Sequence, residues 1–167
     1  RITHCETPLQ FTQTINIASY GANGSVFTAV AGANQATLEV FSTSISTANA
    51  NAVTLANLFS IGDLVLMGNS TIGRYYQKVT GIQYDVVANA AGNTTTGNAT
   101  ITINFEGTFN SHTTYVANDA LTRNWEFFDL VDSAPGQSDY VFDFGNTAAN
   151  DELHIVVVDD GGMFTGI

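Results

Sequence analysis

Thr100-Ile101-Thr102-Ile103-Asn104-Phe105 alternates polar and apolar residues without a break. Successive side chains of a strand point to opposite faces, so this stretch reads as a half-buried strand with Ile101, Ile103 and Phe105 inward. Working back, Tyr75-Tyr76-Gln77-Lys78-Val79-Thr80-Gly81-Ile82 alternates in the same way. Asn89 to Asn98, low in complexity, lies between them and reads as an exposed hairpin loop. Before that, Ser60-Ile61-Gly62-Asp63-Leu64-Val65-Leu66-Met67 reads as a Gly-Asp turn launching an apolar strand.

Earlier still, Leu9, Phe11, Ile15 and Ile17 alternate with Thr12, Thr14 and Asn16, and Gly21-Ala22-Asn23-Gly24 breaks the run. Ser25 to Val30 and Ala36 to Ser44 read as strands split by Ala31-Gly32-Ala33-Asn34, with Leu38, Val40 and Ser42 on one face. Ser46 to Ala56, rich in Ala, Asn and Thr, reads equally as a weak helix or a loop. Short strands with turn signals every 8–15 residues indicate a mainly β chain, built as a small β-barrel or sandwich.

Composition agrees. Charged residues make up 11% of the 167 residues, less than half the usual quarter, so Thr, Asn, Ser, Gln and Gly must cover the surface. Thr favours strands, and Asn and Gly favour turns. The net charge is −11 and unevenly spread: residues 119–167 hold ten acids against Arg123, and residues 1–118 hold five acids and three bases. This argues against nucleic-acid partners and anionic membranes, which call for basic patches. No apolar run reaches 18 residues, so no transmembrane helix is expected. With one cysteine, Cys5, no internal disulfide can form, and neighbouring His4 would point to the opposite face of a strand.

No catalytic, cofactor-binding or metal-binding residues are assigned. His4, His112 and His154 stand in separate contexts, without a nucleophile elbow or HExxH. Asp159-Asp160-Gly161-Gly162 lacks the spacing of a Ca²⁺ loop and reads as a turn after a strand, and Asp151-Glu152 as a charged strand entrance. The glycines form no phosphate cradle. The four Asn-x-Ser/Thr sites, at Asn23, Asn69, Asn93 and Asn98, are close to chance in a chain so rich in Asn and Thr. An enzyme is therefore not expected.

Character changes at about 115–130, dividing the chain into a β-rich domain, residues 1–118, and an acidic segment, residues 119–167. The segment opens on Asn124-Trp125-Glu126-Phe127-Phe128-Asp129-Leu130-Val131. Ser133-Ala134-Pro135-Gly136-Gln137-Ser138-Asp139 is turn-rich and could lead into a short helix. Tyr140, Phe142 and Phe144 then alternate with Val141 and Asp143, a spacing that reads as core. Ile155-Val156-Val157-Val158 is apolar on both faces, the pattern of a strand covered above and below.

Ala134-Pro135-Gly136, followed by Asn150-Asp151-Glu152-Leu153-His154-Ile155-Val156-Val157-Val158-Asp159 and Gly162-Met163-Phe164-Thr165-Gly166, resembles the tail sheath proteins of contractile-tailed phages, closest to T4-like myoviruses. Residues 60–130, with Ile61-Gly62-Asp63-Leu64-Val65 and Lys78-Val79-Thr80-Gly81-Ile82, look like the inserted β domain that precedes this passage in that family; residues 1–59 carry no likeness. The resemblance implies a fragment: residues 1–118 as an outer insertion domain, and residues 119–167 as the first strand or strands of an α/β sheath body. It implies a virion structural protein in the extracellular phage tail. Its partners would be copies of itself in a helical or ring assembly and the tail tube protein, with no cofactor, nucleic acid or membrane insertion. The acidic segment would lie nearer the subunit contacts. The alternatives are a β module binding glycan or a host surface through Trp125 and its neighbouring aromatics, or a subunit of a cell-surface filament.

Overall fold

The computed structural model describes residues 1–17, 20, 24–69, 73–85, 97–110, 113–115, 120–145, 150–159 and 161–162. The Asn89 to Asn98 loop before residue 97, the Gly21-Ala22-Asn23 break, His112, Asp160, Asn93 and Met163 to Ile167 lie outside them. The chain is mainly β, as its alternating stretches require. It divides into two compact units, one of residues 14–123 and one of residues 1–13 with 124–167. The chain crosses between them twice, within β2 (Thr12–Asn16) and within β9 (Ala120–Asn124).

The larger unit is built on one sheet. Its other strands are β3 (Ser25–Ala29), β4 (Gln35–Ser42), β5 (Leu64–Asn69), β6 (Gly73–Asp85), β7 (Gly97–Phe105) and β8 (Thr113–Tyr115). The spatial order is β2-β9-β5-β6-β7-β4-β3-β8. The described ladders from β5 to β8 are antiparallel. Register follows the alternation. Ala36, Leu38, Val40 and Ser42 lie opposite Ile103, Ile101, Ala99 and Gly97, and all eight are buried. A slip of one residue would turn this whole set to water, which is what fixes the pairing.

The stretch at 45–56 is a helix, α2 (Ile45–Ala56), packed on β4 and β7. Ser44 caps it, its Oγ accepting from the Thr47 amide at 3.2 Å. Ala48, Ala52, Leu55 and Ala56 share its buried face, at helical spacing. The small residues let it lie close to the sheet. A Cβ on Gly97 would sit 2.4 Å from the Ile45 nitrogen and 2.6 Å from the Ser44 carbonyl carbon, so only glycine fits there. Phe27, Leu38, Ile101, Ile103, Phe105, Met67, Val79, Ile15 and Leu121 complete one continuous core.

One expectation changes. Leu9 and Phe11 do not continue an alternating strand: Pro8–Phe11 is a single helical turn, α1, capped by Thr7, and Leu9 is exposed. Pro8 at the start of the turn fixes φ where helix begins, which overrides the period-two pattern. The Gly-Asp turn before β5 is present, with Gly62 at φ +102° donating to the Val79 carbonyl at 2.8 Å. It also holds something the sequence did not suggest. Asp63 is buried, accepts from the Ser60 amide at 2.7 Å, and lies 3.5 Å from the Arg123 guanidinium, itself buried.

Candidate functional site

The smaller unit starts from a ribbon of two antiparallel strands, β1 (Ile2–Cys5) and β10 (His154–Val157). Ile2 faces Val157 and His4 faces Ile155; Thr3 faces Val156 and Cys5 faces His154. Directly opposed residues share a face. One face therefore carries Thr3, Cys5, His154 and Val156 inward, and the other carries Ile2, His4, Ile155 and Val157 outward.

Aromatic side chains support the inner face. The His154 ring lies nearly parallel to the buried Trp125 indole, centroids 6.5 Å apart, and 6.1 Å from Phe11. Phe127 meets Trp125 edge-on at 5.6 Å, and Phe128 meets Phe11 edge-on at 6.5 Å. The 3-10 turn Phe128–Leu130 sets these rings. Arg1 reaches over Phe127, 5.8 Å from the ring centre, while its guanidinium bonds Glu126 at 2.6 Å. His154 opens β10 and also holds a loop: its Nε2 lies 2.8 Å from the Ser133 carbonyl, which can only accept, so Nε2 carries the proton.

The Ala134-Pro135-Gly136 loop and the stretch from Asn150 to Asp159 meet here. Glu152 accepts from the Gly136 amide at 2.9 Å, and the Asp151 and Glu152 amides both donate to the Gly136 carbonyl at 3.1 Å. Asp151 takes the Ser138 amide at 2.8 Å on one oxygen and the Ser138 hydroxyl at 2.6 Å on the other. These bonds from Ser138 hold the Asp151 carboxyl below its ordinary range. The same Ser138 Oγ accepts from Val141 at 3.3 Å and caps α3 (Asp139–Phe144). Asp151 and Glu152 thus clasp the Pro-Gly loop to the strand, an arrangement that a charged strand entrance only hinted at. Seryl capping three residues before Val141 was the available signal for the helix.

α3 corrects the reading of Tyr140, Phe142 and Phe144 as core. All three are exposed, at 72%, 71% and 79%. Their period-two spacing covers five residues of a six-residue helix, too few to separate a strand from a helix. Tyr140 and Phe144, four apart, meet on one helix face at 5.5 Å. The closing strand is also not covered on both sides. β10 pairs with β1 alone among the described residues, and Ile155 and Val157 are 60% and 72% exposed. Leu153, Ile2, Leu9 and Leu130 add to the exposed apolar surface of this unit.

This unit also holds most of the charge. It carries ten acids against Arg1, while residues 14–123 carry five acids against Arg74, Lys78 and Arg123. Among the described residues, no three His, Cys, Asp or Glu side chains gather to hold a metal ion, and no helix is long and apolar enough to cross a membrane. Trp125, offered as a sugar platform, is 6% exposed and presents no open face. What the ribbon's outer face presents is exposed Ile2, Ile155 and Val157 together with His4, whose Nε2 lies 3.3 Å from Glu6. Comparison of the chain with protein-family models, curated proteins and solved structures found no match.

Proposed function

We propose that this chain is a virion structural protein, part of the contractile sheath around a phage tail tube. The observation that carries the proposal is the outer face of the β1–β10 ribbon. Ile2, Ile155 and Val157 stand on it exposed, while the inner face packs on aromatic rings. A soluble chain leaves β-branched residues aligned on a ribbon face at a cost in hydration, which contact with another polypeptide removes. The clasp adds a second support, because the residues that carry the sheath resemblance are those that hold the ribbon in place.

In this reading the smaller unit belongs to the packed body of the sheath and the larger sheet is an outer domain. Copies stack around the tube, and their rearrangement drives it through the host envelope. The residues act mechanically, through buried area and charge. Antibodies raised against residues 14–123 should decorate the tails of purified particles along their length, at a regular spacing. Absence of the chain from purified particles, by mass spectrometry, would overturn the proposal.

A further inference from the structure

We propose that α3 is a docking element for a basic segment of a partner polypeptide, rich in aliphatic side chains. This surface is independent of what the whole chain builds. It follows from how six residues are laid round one short helix.

Asp139, Tyr140, Phe142, Asp143 and Phe144 are exposed, and Val141 is half-buried. At 3.6 residues per turn, Asp139 and Asp143 lie one above the other, opposite Val141. Val141 turns inward, so the two carboxylates form the outward crest. Tyr140 and Phe144 stand on one flank, ring centres 5.5 Å apart, and Phe142 stands on the other. Each of the three rings is at least 71% exposed. Large aromatic side chains grouped in water on a folded chain mark contact sites.

The carboxylates say what makes the contact. Acids four residues apart on a helix repel each other. Asp143 also lies in the last turn, where the helix dipole disfavours an anion and no basic residue offsets it. The unit offers no spare Lys or Arg: it holds ten acids and Arg1, which is bonded to Glu126. Lys or Arg from a partner, placed over the crest, relieves both repulsions. The apolar stems of those cations, and aliphatic side chains beside them, then cover the rings on either flank. The helix is also held ready. Ser138 caps it and is itself bonded twice to Asp151. A rigid element loses little freedom on binding.

Titration of the whole chain, followed by its amide resonances, tests this with peptides of known chemistry. A peptide of Lys and Leu at helical spacing should shift amides centred on residues 138–145. Lys/Ser and Glu/Leu peptides of equal length should bind about tenfold more weakly or worse, because each lacks half of the match. Phe142→Ser with Phe144→Ser should weaken the Lys/Leu complex about tenfold or more. Asp143→Asn removes no apolar contact, and should weaken it about two- to fivefold and flatten its dependence on salt. Thermal melts should not fall in either variant, since all these positions are exposed. Phe142→Ser alone serves where the double variant unfolds.

A Lys/Leu peptide that does not bind would overturn the inference. So would binding that ignores the Phe variants, shifts spread over all the acids of the unit, or a Lys/Ser peptide that binds as well, each of which means general charge attraction. A Glu/Leu peptide that binds as well would show apolar contact without charge recognition, and would overturn it too. None of these outcomes bears on the sheath reading, which fails instead on absence from particles.

Discussion

Asp63 shows how little of a buried ion pair a sequence reveals. Its place in a turn is legible, because Gly62 before it takes a positive φ that favours glycine. Its partner Arg123 stands sixty residues later on another strand, and no local pattern links the two. Removing one partner leaves the other charge buried. Asp63→Ala should therefore cost about 3–5 kcal/mol in denaturant unfolding. Gly97 is a second case. It looks like any loop glycine, yet the backbone of α2 lies against it, and Gly97→Ala should destabilise by ~1–3 kcal/mol as strand and helix move apart. At Asp151 the effect depends on pH. The carboxyl is held below its ordinary 3.8 in the folded chain. Its contribution is therefore complete above that value and is lost as pH falls through the lower, folded one. The Ser138 amide should exchange faster with solvent below that range, and Asp151→Asn should remove the pH dependence.

Elements were legible where the alternation was long and one face was buried. β4 and β7 run eight and nine residues with strict alternation, but β7 begins at Gly97, inside the stretch read as an exposed loop, because Gly97 and Asn98 pair with Ser42 and Phe41. The helices were harder. α2 is mostly Ser, Thr, Asn and Ala, so its stability comes from the buried Ala and Leu face rather than from propensity. α3 is shorter still, and its capping serine was a better guide than its aromatics. The ribbon was half legible. An apolar run at 155–158 announced a strand, but its partner is β1, about 150 residues earlier, and sequence separation hides such pairing. A peptide of residues 119–167 should accordingly fail to fold cooperatively, because β10 loses the strand it pairs with. Adding a peptide of residues 1–13 should restore structure; circular dichroism of the mixture checks this.

At the scale of the whole molecule, the two units differ in what holds them. Residues 14–123 have a continuous hydrophobic core, and the smaller unit has aromatic edges, a hydrogen-bonded clasp and an open apolar face. Amide exchange should report the difference, with Ile155 and Val157 exchanging well before Ile101 and Ile103. Charge asymmetry was readable from composition alone, since counting acids requires no fold. The grouping of residues 1–13 with the acidic end was not, because it depends on β1 meeting β10. Where the chain leaves the smaller unit and returns to it, the strands are already joined. The Trp125 amide donates to the Phe11 carbonyl at 2.8 Å, and the Thr12 hydroxyl donates to Asn124 at 2.9 Å. Two residues so close can be bridged by a tight turn as readily as by a hundred-residue sheet. The larger unit is in that sense a cassette, entered and left at neighbouring residues of the smaller one.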